Sequence, residues 1–331
     1  MNQKKQVVLV TGATGYIGSQ VVYALRKMFG DGLHVKALVR ENSEVAVLSD
    51  PEVEIVRGDI LNPISLLEPF ESVDAVFHCA GLVAYTKQSR NRLYETNVTG
   101  TSNVVDVCLQ KGVGRLVLTS SVAAQGVKEG IEQADEETAF SEWQHRIAYM
   151  DSKRLAEIEC ERGIAEGLDV VMVNPGVVLG RGEGHPVVLN SSTKAVQSIY
   201  QGKIFLYPSG GLSLVDIRDV ARAHIEVWKK GETGERYIIV SENCSYKELF
   251  SMIREIPGSS PRAAFSAGNA LYGIAGTGGE LFSLLSGKRP YITLESMRLA
   301  RRYLYYSNRK SVESLAMSYR PVKEILQSIV T

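Results

Sequence analysis

Tyr149 and Lys153 stand four residues apart in Tyr149-Met150-Asp151-Ser152-Lys153, which opens a helical pattern running to about Ala165. That spacing puts both side chains on one helix face. A free tyrosine, with a pKa of about 10, is a poor base at neutral pH. A nearby lysine ammonium favours the phenolate and lowers that value. Such a tyrosine could protonate a carbonyl oxygen during reduction, or deprotonate an alcohol during oxidation. Ser120-Ser121 ends the apolar run Arg115–Thr119, and Ser121 could hold the same oxygen. Lys153 could also hydrogen-bond a nicotinamide ribose, and the hydride itself would belong to the cofactor. A Tyr-x-x-x-Lys pair alone is often a surface pair. Its weight comes from the elements around it.

The element that would bring a cofactor to these groups lies at the other end of the sequence. Val7-Val8-Leu9-Val10 reads as a buried strand. Gly12, Gly15 and Gly18 follow in the spacing G-x-x-G-x-x-G, and then a helical pattern through Val21, Val22, Ala24, Leu25 and Met28. A strand, a glycine turn and a helix place backbone N–H groups where a pyrophosphate could sit. Gly12, Thr14, Gly15, Tyr16, Ile17 and Gly18 are therefore the expected phosphate-side contacts. Arg40, at the end of the second strand, could pair with the 2′-phosphate of NADP, although Glu41 follows directly. NADP(H) is favoured and NAD(H) stays open. Asp59 and Ile60 follow the third strand, Val53–Arg57; Asp59 could take the adenine amino group or cap a turn. Ala80 and Gly81 follow the fourth strand and are small enough to let the chain approach a cofactor. His78 reads as a packed strand-end residue.

Strands alternating with helices predict an α/β fold, a Rossmann-type doubly wound parallel sheet, with a smaller and mostly helical substrate-binding lobe. The expected division is residues 1–175 for the dinucleotide-binding part, with strand and helix returns near 212–240, and 176–331 for the lobe. Residues 245–256 and 293–331 read as helical, and 263–287 as a loose amphipathic segment. The polar, acidic stretch 128–148 reads as an exposed loop placed to act as a lid. The chain has 331 residues, 44% hydrophobic and 22% charged, with Lys+Arg equal to Asp+Glu. Zero net charge argues against a nucleic-acid binder that relies on bulk charge. Cys79, Cys108, Cys160 and Cys244 have no metal-ligand spacing, so no metal is expected. No apolar run approaches a membrane span, and the run after Lys5 is short for a signal peptide, so a cytoplasmic location is expected.

Thr11-Gly12-Ala13-Thr14-Gly15-Tyr16-Ile17-Gly18, Asp59, Asn97, Ser120-Ser121, Tyr149-x-x-x-Lys153 and Asn174-Pro175-Gly176 together resemble the extended short-chain dehydrogenases/reductases of the NAD(P)-dependent epimerase/dehydratase superfamily. Val39-Arg40 and Val215-Asp216-Ile217-Arg218-Asp219-Val220-Ala221-Arg222-Ala223-His224 are most similar to the dihydroflavonol-4-reductase-like and 3β-hydroxysteroid-dehydrogenase-like branch. The resemblance implies Tyr149 as acid/base, Lys153 as its electrostatic partner, Ser121 as carbonyl ligand and Asn97 as support for Lys153 through a water. It favours Ser121 over Ser120, because the small-residue run Val122-Ala123-Ala124 follows directly. It implies cofactor contacts at Pro175 and Val177, and a mostly apolar substrate wall including Val83, Tyr85, Val122 and Asn174. A small, partly hydrophobic ketone or aldehyde, or the alcohol, is the expected substrate of an NADP(H)-dependent oxidoreductase. A nucleotide-sugar epimerase or dehydratase with tightly held cofactor is the alternative, with Arg181, Lys194, Lys203 and Arg218 as candidate diphosphate ligands. A cofactor-sensing protein without catalysis is a third reading. The resemblance also makes a homodimer plausible, through helices at 91–111 and 149–166.

Overall fold

A computed structural model describes residues 5–184, 187–260, 262–266 and 294–330. The segment 267–287 of the expected amphipathic stretch lies outside the described residues. The large sheet contains β1 (Gln6–Thr11), β2 (Leu33–Val39), β3 (Val53–Arg57), β4 (Ala75–His78), β5 (Arg115–Thr119), β6 (Val170–Pro175) and, after the short β7 (Val177–Leu179), β8 (Leu206–Tyr207) and β9 (Gly211–Asp216), the late strand β10 (Arg236–Ile239). Its order is β10-β6-β5-β4-β1-β2-β3, and every pairing is parallel. The strands are apolar runs because both faces are covered. Helices α1 (Tyr16–Phe29) and α6 (Ile217–Lys230) bury Val21, Val22, Leu25, Val220 and Val227 on one side. Helices α3 (Gly100–Lys111) and α4 (Ala148–Ala165) bury Val104, Val105, Cys108 and Cys160 on the other.

The order reverses between β1 and β4, which fixes where a crevice opens at the carboxyl ends of the strands. Gly12 sits at that point with φ +63°, and a Cβ there would stand 2.6 Å from the Ala80 backbone nitrogen. Only glycine satisfies both the left-handed backbone and the close approach. A Cβ on Gly18 would meet the Gly12 carbonyl oxygen at 2.2 Å, so α1 rests directly on the turn.

The helix expected at 91–111 is not continuous. The helix α2 (Arg90–Tyr94) passes into a π-turn at Glu95–Thr99 before α3 begins. Buried Asn97 lies in that turn, and its amide bonds to the Leu82 backbone and to Ser152 rather than lying along a regular helix face.

The second half is less helical than its sequence suggests. Strand β9 pairs with β7, with β11 (Glu242–Ser245) and with Tyr303–Leu304, giving a second sheet. Helices α5 (Ser191–Tyr200) and α7 (Tyr246–Arg254) pack on it with the terminal helix Val322–Val330, around Val196, Leu214, Phe250, Ile253 and Ile325. The expected helical run 293–331 is instead Leu294–Ala300, the strand Tyr303–Leu304, Arg309–Leu315 and Val322–Val330. Gly210 and Gly211 explain the strand: their amides donate to Ala300 and Arg302 carbonyls and draw the tail along β9. No helix among the described residues is long and apolar enough to cross a membrane.

Candidate active site

Two hollows occupy the carboxyl ends of the parallel strands. The first, about 960 Å³, lies beyond β1, β2 and β3 and includes Thr14, Arg40, Ser43, Arg57 and Asp59 in its wall. The second, about 350 Å³, lies beyond β4, β5 and β6 and brings together Gly15, Tyr16, Ile17 and Gly18 with Gly81, Ser121, Tyr149, Lys153, Pro175 and Val177. The serine, tyrosine and lysine of the sequence reading thus meet the glycine turn in one cleft. Val83, Tyr85 and Val122 are in the same wall. Gly12, Ile60, Ala80, Asn97 and Asn174 line neither hollow. Gly12 and Ala80 abut each other behind the wall, and Ile60 packs against Gly100.

Asn174 lies beneath the cleft rather than on the substrate side. It is fully buried, and its Nδ2 donates to the Ser121 carbonyl at 3.1 Å and to Glu157 Oε1 at 2.6 Å. Asp59 acts as a turn residue: its carboxylate accepts from the Leu61 amide at 2.9 Å while it also borders the first hollow.

The two serines are separated by their partners. Ser120 Oγ donates to buried Glu157 at 2.6 Å. Ser121 Oγ caps the short helical turn Val122–Ala124 by accepting from the Ala123 amide at 3.1 Å, and it shares the cleft wall with the Tyr149 phenol. Burial holds Tyr149 above its ordinary pKa, and the Ser121 hydroxyl beside it opposes that rise. The lowering expected from Lys153 is not found: only burial and Ser121 act on the phenol, and the net shift is upward. Lys153 Nζ donates to the Thr119 carbonyl at 2.8 Å, and burial draws its own pKa down to about 8 while Glu157 opposes the fall. Tyr85 meets Tyr149 edge to face with ring centroids 5.5 Å apart, which fixes the phenol's plane.

His78 is packed, as its position suggested. Its ring nitrogens meet Thr11 Oγ1 at 2.7 Å and Thr101 Oγ1 at 3.1 Å, and burial lowers its pKa to about 3. His224 is a second buried histidine beneath the cleft. Its Nδ1 donates to the Val220 carbonyl, so its neutral Nε2 accepts from Thr119 Oγ1 at 2.7 Å.

The residues fit a dinucleotide on observations of this chain. Helix α1 begins without a side-chain cap and without an acidic residue in its first turn, which leaves its first N–H groups for an anion. A Cβ at Gly81 would project into the cleft, 3.4 Å from Asn97 Oδ1 and 3.8 Å from Lys153 Nζ.

Several cleft residues were not foreseen. Arg57 donates to the carbonyls of Arg40 and Glu41 at 2.9 Å each; its place at the end of β3, opposite Val39, was the available signal. Met150 follows Tyr149 directly. Asn190, Ser191, Ser192, Leu299, Leu304 and Tyr306 also form the wall, from segments more than a hundred residues beyond the glycine turn. Nothing local marks them. Arg181, Lys194 and Lys203 are exposed and outside the cleft wall, and Arg218 is held by Asp216 at 2.8 Å.

A parallel sheet with a glycine turn at its switch point and a Ser/Tyr/Lys cleft beside it defines a dinucleotide-dependent enzyme of the short-chain type. Residues 8–240 match the NAD dependent epimerase/dehydratase family, and the chain belongs to that family of NAD(P)-dependent enzymes. A Synechocystis sp. protein whose name provisionally assigns it as a dihydroflavonol 4-reductase is 30% identical over 97% of this chain and 92% of that protein. Cinnamoyl-CoA reductase 1 of Oryza sativa subsp. japonica is 32% identical over 80% and 79%. The crystal structure of gox2253 is 29% identical, with a TM-score of 0.82, covering 98% of this chain and 97% of that one.

Proposed function

We propose that the protein is an NADP(H)-dependent reductase of a ketone or aldehyde with an uncharged, apolar body, working in the alcohol direction by the reverse steps. The observation that carries this reading is the cleft itself: Ser121, Tyr149 and Lys153 share one wall, and Leu82, Val83, Tyr85, Val122, Met150, Leu299 and Leu304 supply much of the rest. A nucleotide diphosphate would call for cations there, and the four basic residues considered for that role lie elsewhere.

In this reading the glycine turn and the first N–H groups of α1 hold the pyrophosphate, Arg40 takes the 2′-phosphate, and Asp59 faces the adenine. The remaining Gly12–Gly18 contacts, Ile60, Ala80, Gly81, Pro175 and Val177 shape the channel. The nicotinamide cofactor, when bound, supplies or accepts the hydride. Tyr149 gives its hydroxyl proton to the carbonyl oxygen as the alcohol forms. Ser121 holds that oxygen by a hydrogen bond, positioned by its cap on the following turn. The Lys153 ammonium stabilises the phenolate left behind. Asn97 clamps the Leu82 backbone to α4 through Ser152 and so keeps Lys153 over the cleft floor. Residues 1–175 with α6 and β10 form the cofactor body, and the remainder forms the substrate lobe. Homodimerisation through α3 and α4 belongs to the same reading.

The test is a titration with NADPH and NADH followed by NADPH oxidation against ketones, aldehydes and sugar nucleotides. Turnover is expected with aryl or alicyclic carbonyls. Turnover confined to sugar nucleotides, with no net oxidation of NADPH, would overturn the reading.

A further inference from the structure

Helix α4 carries a third group in register with the tyrosine and lysine. Tyr149, Lys153 and Glu157 follow at successive steps of four, so Glu157 sits one turn below Lys153 on the same face. Its side chain is fully buried. Oε1 accepts from Ser120 Oγ and from Asn174 Nδ2, both at 2.6 Å. Oε2 lies 3.2 Å from an Arg154 guanidinium nitrogen and 3.4 Å from one of Arg236. All of these partners are donors, which is the environment of an ionised carboxylate and not of a carboxylic acid. The same Asn174 amide reaches the Ser121 carbonyl at 3.1 Å. Glu157 therefore touches neither the cleft nor any reacting atom, yet it is joined by hydrogen bonds to both residues of the serine pair.

We propose that Glu157 is a positioning residue: its buried carboxylate fixes the Ser120-Ser121 turn from below and supplies the negative charge that keeps Lys153 an ammonium in a dry site. This rests on the role given to Lys153 above. Burial alone would strip the lysine of its proton, and its pKa stands at about 8, with Glu157 first among the groups that oppose the fall. The other groups facing Lys153 are neutral or weaker. Cys79 and Cys160 are thiols with pKa values raised by burial, His78 is uncharged, and Thr119 offers only a carbonyl. On the far side of Glu157, Arg154 and Arg236 compete for its charge, while Glu161 shares both guanidinium groups at 2.8 and 2.9 Å. The cluster is a charge relay in the electrostatic sense: Arg236 of β10 and Arg154, Glu157 and Lys153 of α4 alternate in sign from arginine to glutamate to lysine.

The alternation gives the proposal two predictions of opposite sign. Glu157→Gln removes the anion and should lower the Lys153 pKa by about one unit. Arg236→Gln removes a competing cation, leaves more of the carboxylate's field on Lys153, and should raise it by a few tenths. Both are read without turnover, by 13C NMR titration of lysine-labelled protein, with Lys153→Met assigning the signal. In the reductase assay, Glu157→Gln should lower kcat about fivefold at pH 8, with NADPH affinity kept within about twofold, and move the alkaline limb of the profile downward. A Lys153 titration unchanged in Glu157→Gln would overturn the proposal. If Glu157→Gln does not fold, Glu157→Asp decides: drawing the carboxylate back by one methylene should lower the Lys153 pKa by a few tenths, and an unchanged titration there would overturn the proposal. Absence of carbonyl reduction with a shifted Lys153 titration would sink the proposed reaction while leaving the electrostatic coupling standing.

Discussion

At its β2–β3 end the crevice is lined mostly by turns that follow their own strands, Thr14 after β1, Arg40 to Val47 after β2 and Gly58 to Ser65 after β3, with Val187 and Val188 the one distant contribution. At its β5–β6 end the wall is drawn from segments as distant as Gly15 and Tyr306. The first end is open, polar and charged. The second is narrower, and three buried polar networks, around Asn97, Glu157 and His224, lie directly behind it. A site made of local turns can be built one strand at a time. A site made of distant segments exists only when the whole chain has closed, and it needs buried partners to hold its geometry. The tail illustrates the cost of that closure. Leu299, Leu304 and Tyr306 reach the cleft because half-exposed Arg302 forms an ion pair with buried Glu142, and because Ala134 pairs with Tyr306 across the acidic loop. The segment 128–148, expected as an exposed loop placed to act as a lid, is tied to the tail at these points.

The contrast can be broken at either end. Tyr149→Phe should cost the most: turnover falls by about 10³-fold, while NADPH binding, followed by quenching of protein fluorescence, changes less than about twofold. Wild-type turnover in that variant would remove Tyr149 from the chemistry. Arg40→Ala should raise the KM for NADPH by about 30-fold, the worth of a charge-assisted hydrogen bond, and leave NADH unaffected. Equal losses with both cofactors would mean that Arg40 shapes the turn and reads no phosphate. Leu304→Ala should raise the carbonyl substrate's KM by about 5- to 10-fold through lost apolar contact, with the KM for NADPH unchanged. A change in the cofactor's KM instead would show that the tail serves the dinucleotide.

The smallest effect is in pH. The Lys153 ammonium is present below about 8 and lost as pH rises through it. Reductive turnover should therefore fall about twofold between pH 7 and 8 and further above. The linked stability change has the other sign. The folded-state pKa lies below the unfolded value, so between about 8 and 10.5 the unfolded chain binds more protons, and this group's contribution to stability rises with pH. Thermal melts and initial rates over that range should move in opposite directions. Parallel decline would assign the rate loss to unfolding.

Much of the cofactor end was legible in the residues alone. Strand, glycine turn and helix follow one another in sequence, and a tyrosine and lysine four apart need only one helix to share a face. The Ser120/Ser121 ambiguity was not resolvable that way, because two adjacent hydroxyls look alike until Glu157 claims one. Asn97 entered through the resemblance, and the π-turn that accommodates it is held by Leu82 and Ser152, which sequence spacing does not connect. Asn174 was expected at the substrate and lies beneath it, because β6 runs through Pro175 and turns that side chain toward the buried carboxylate.

By itself the sequence determined the parallel sheet, the dinucleotide turn and the pairing of Tyr149 with Lys153, since each follows from short-range periodicity and steric need. Tertiary structure alone decided which serine faces the phenol, which apolar residues enclose the substrate, and how much charge Lys153 keeps. Those depend on burial and on the approach of residues a hundred or more positions apart, and neither quantity exists until the sheet, the lobe and the tail have packed together.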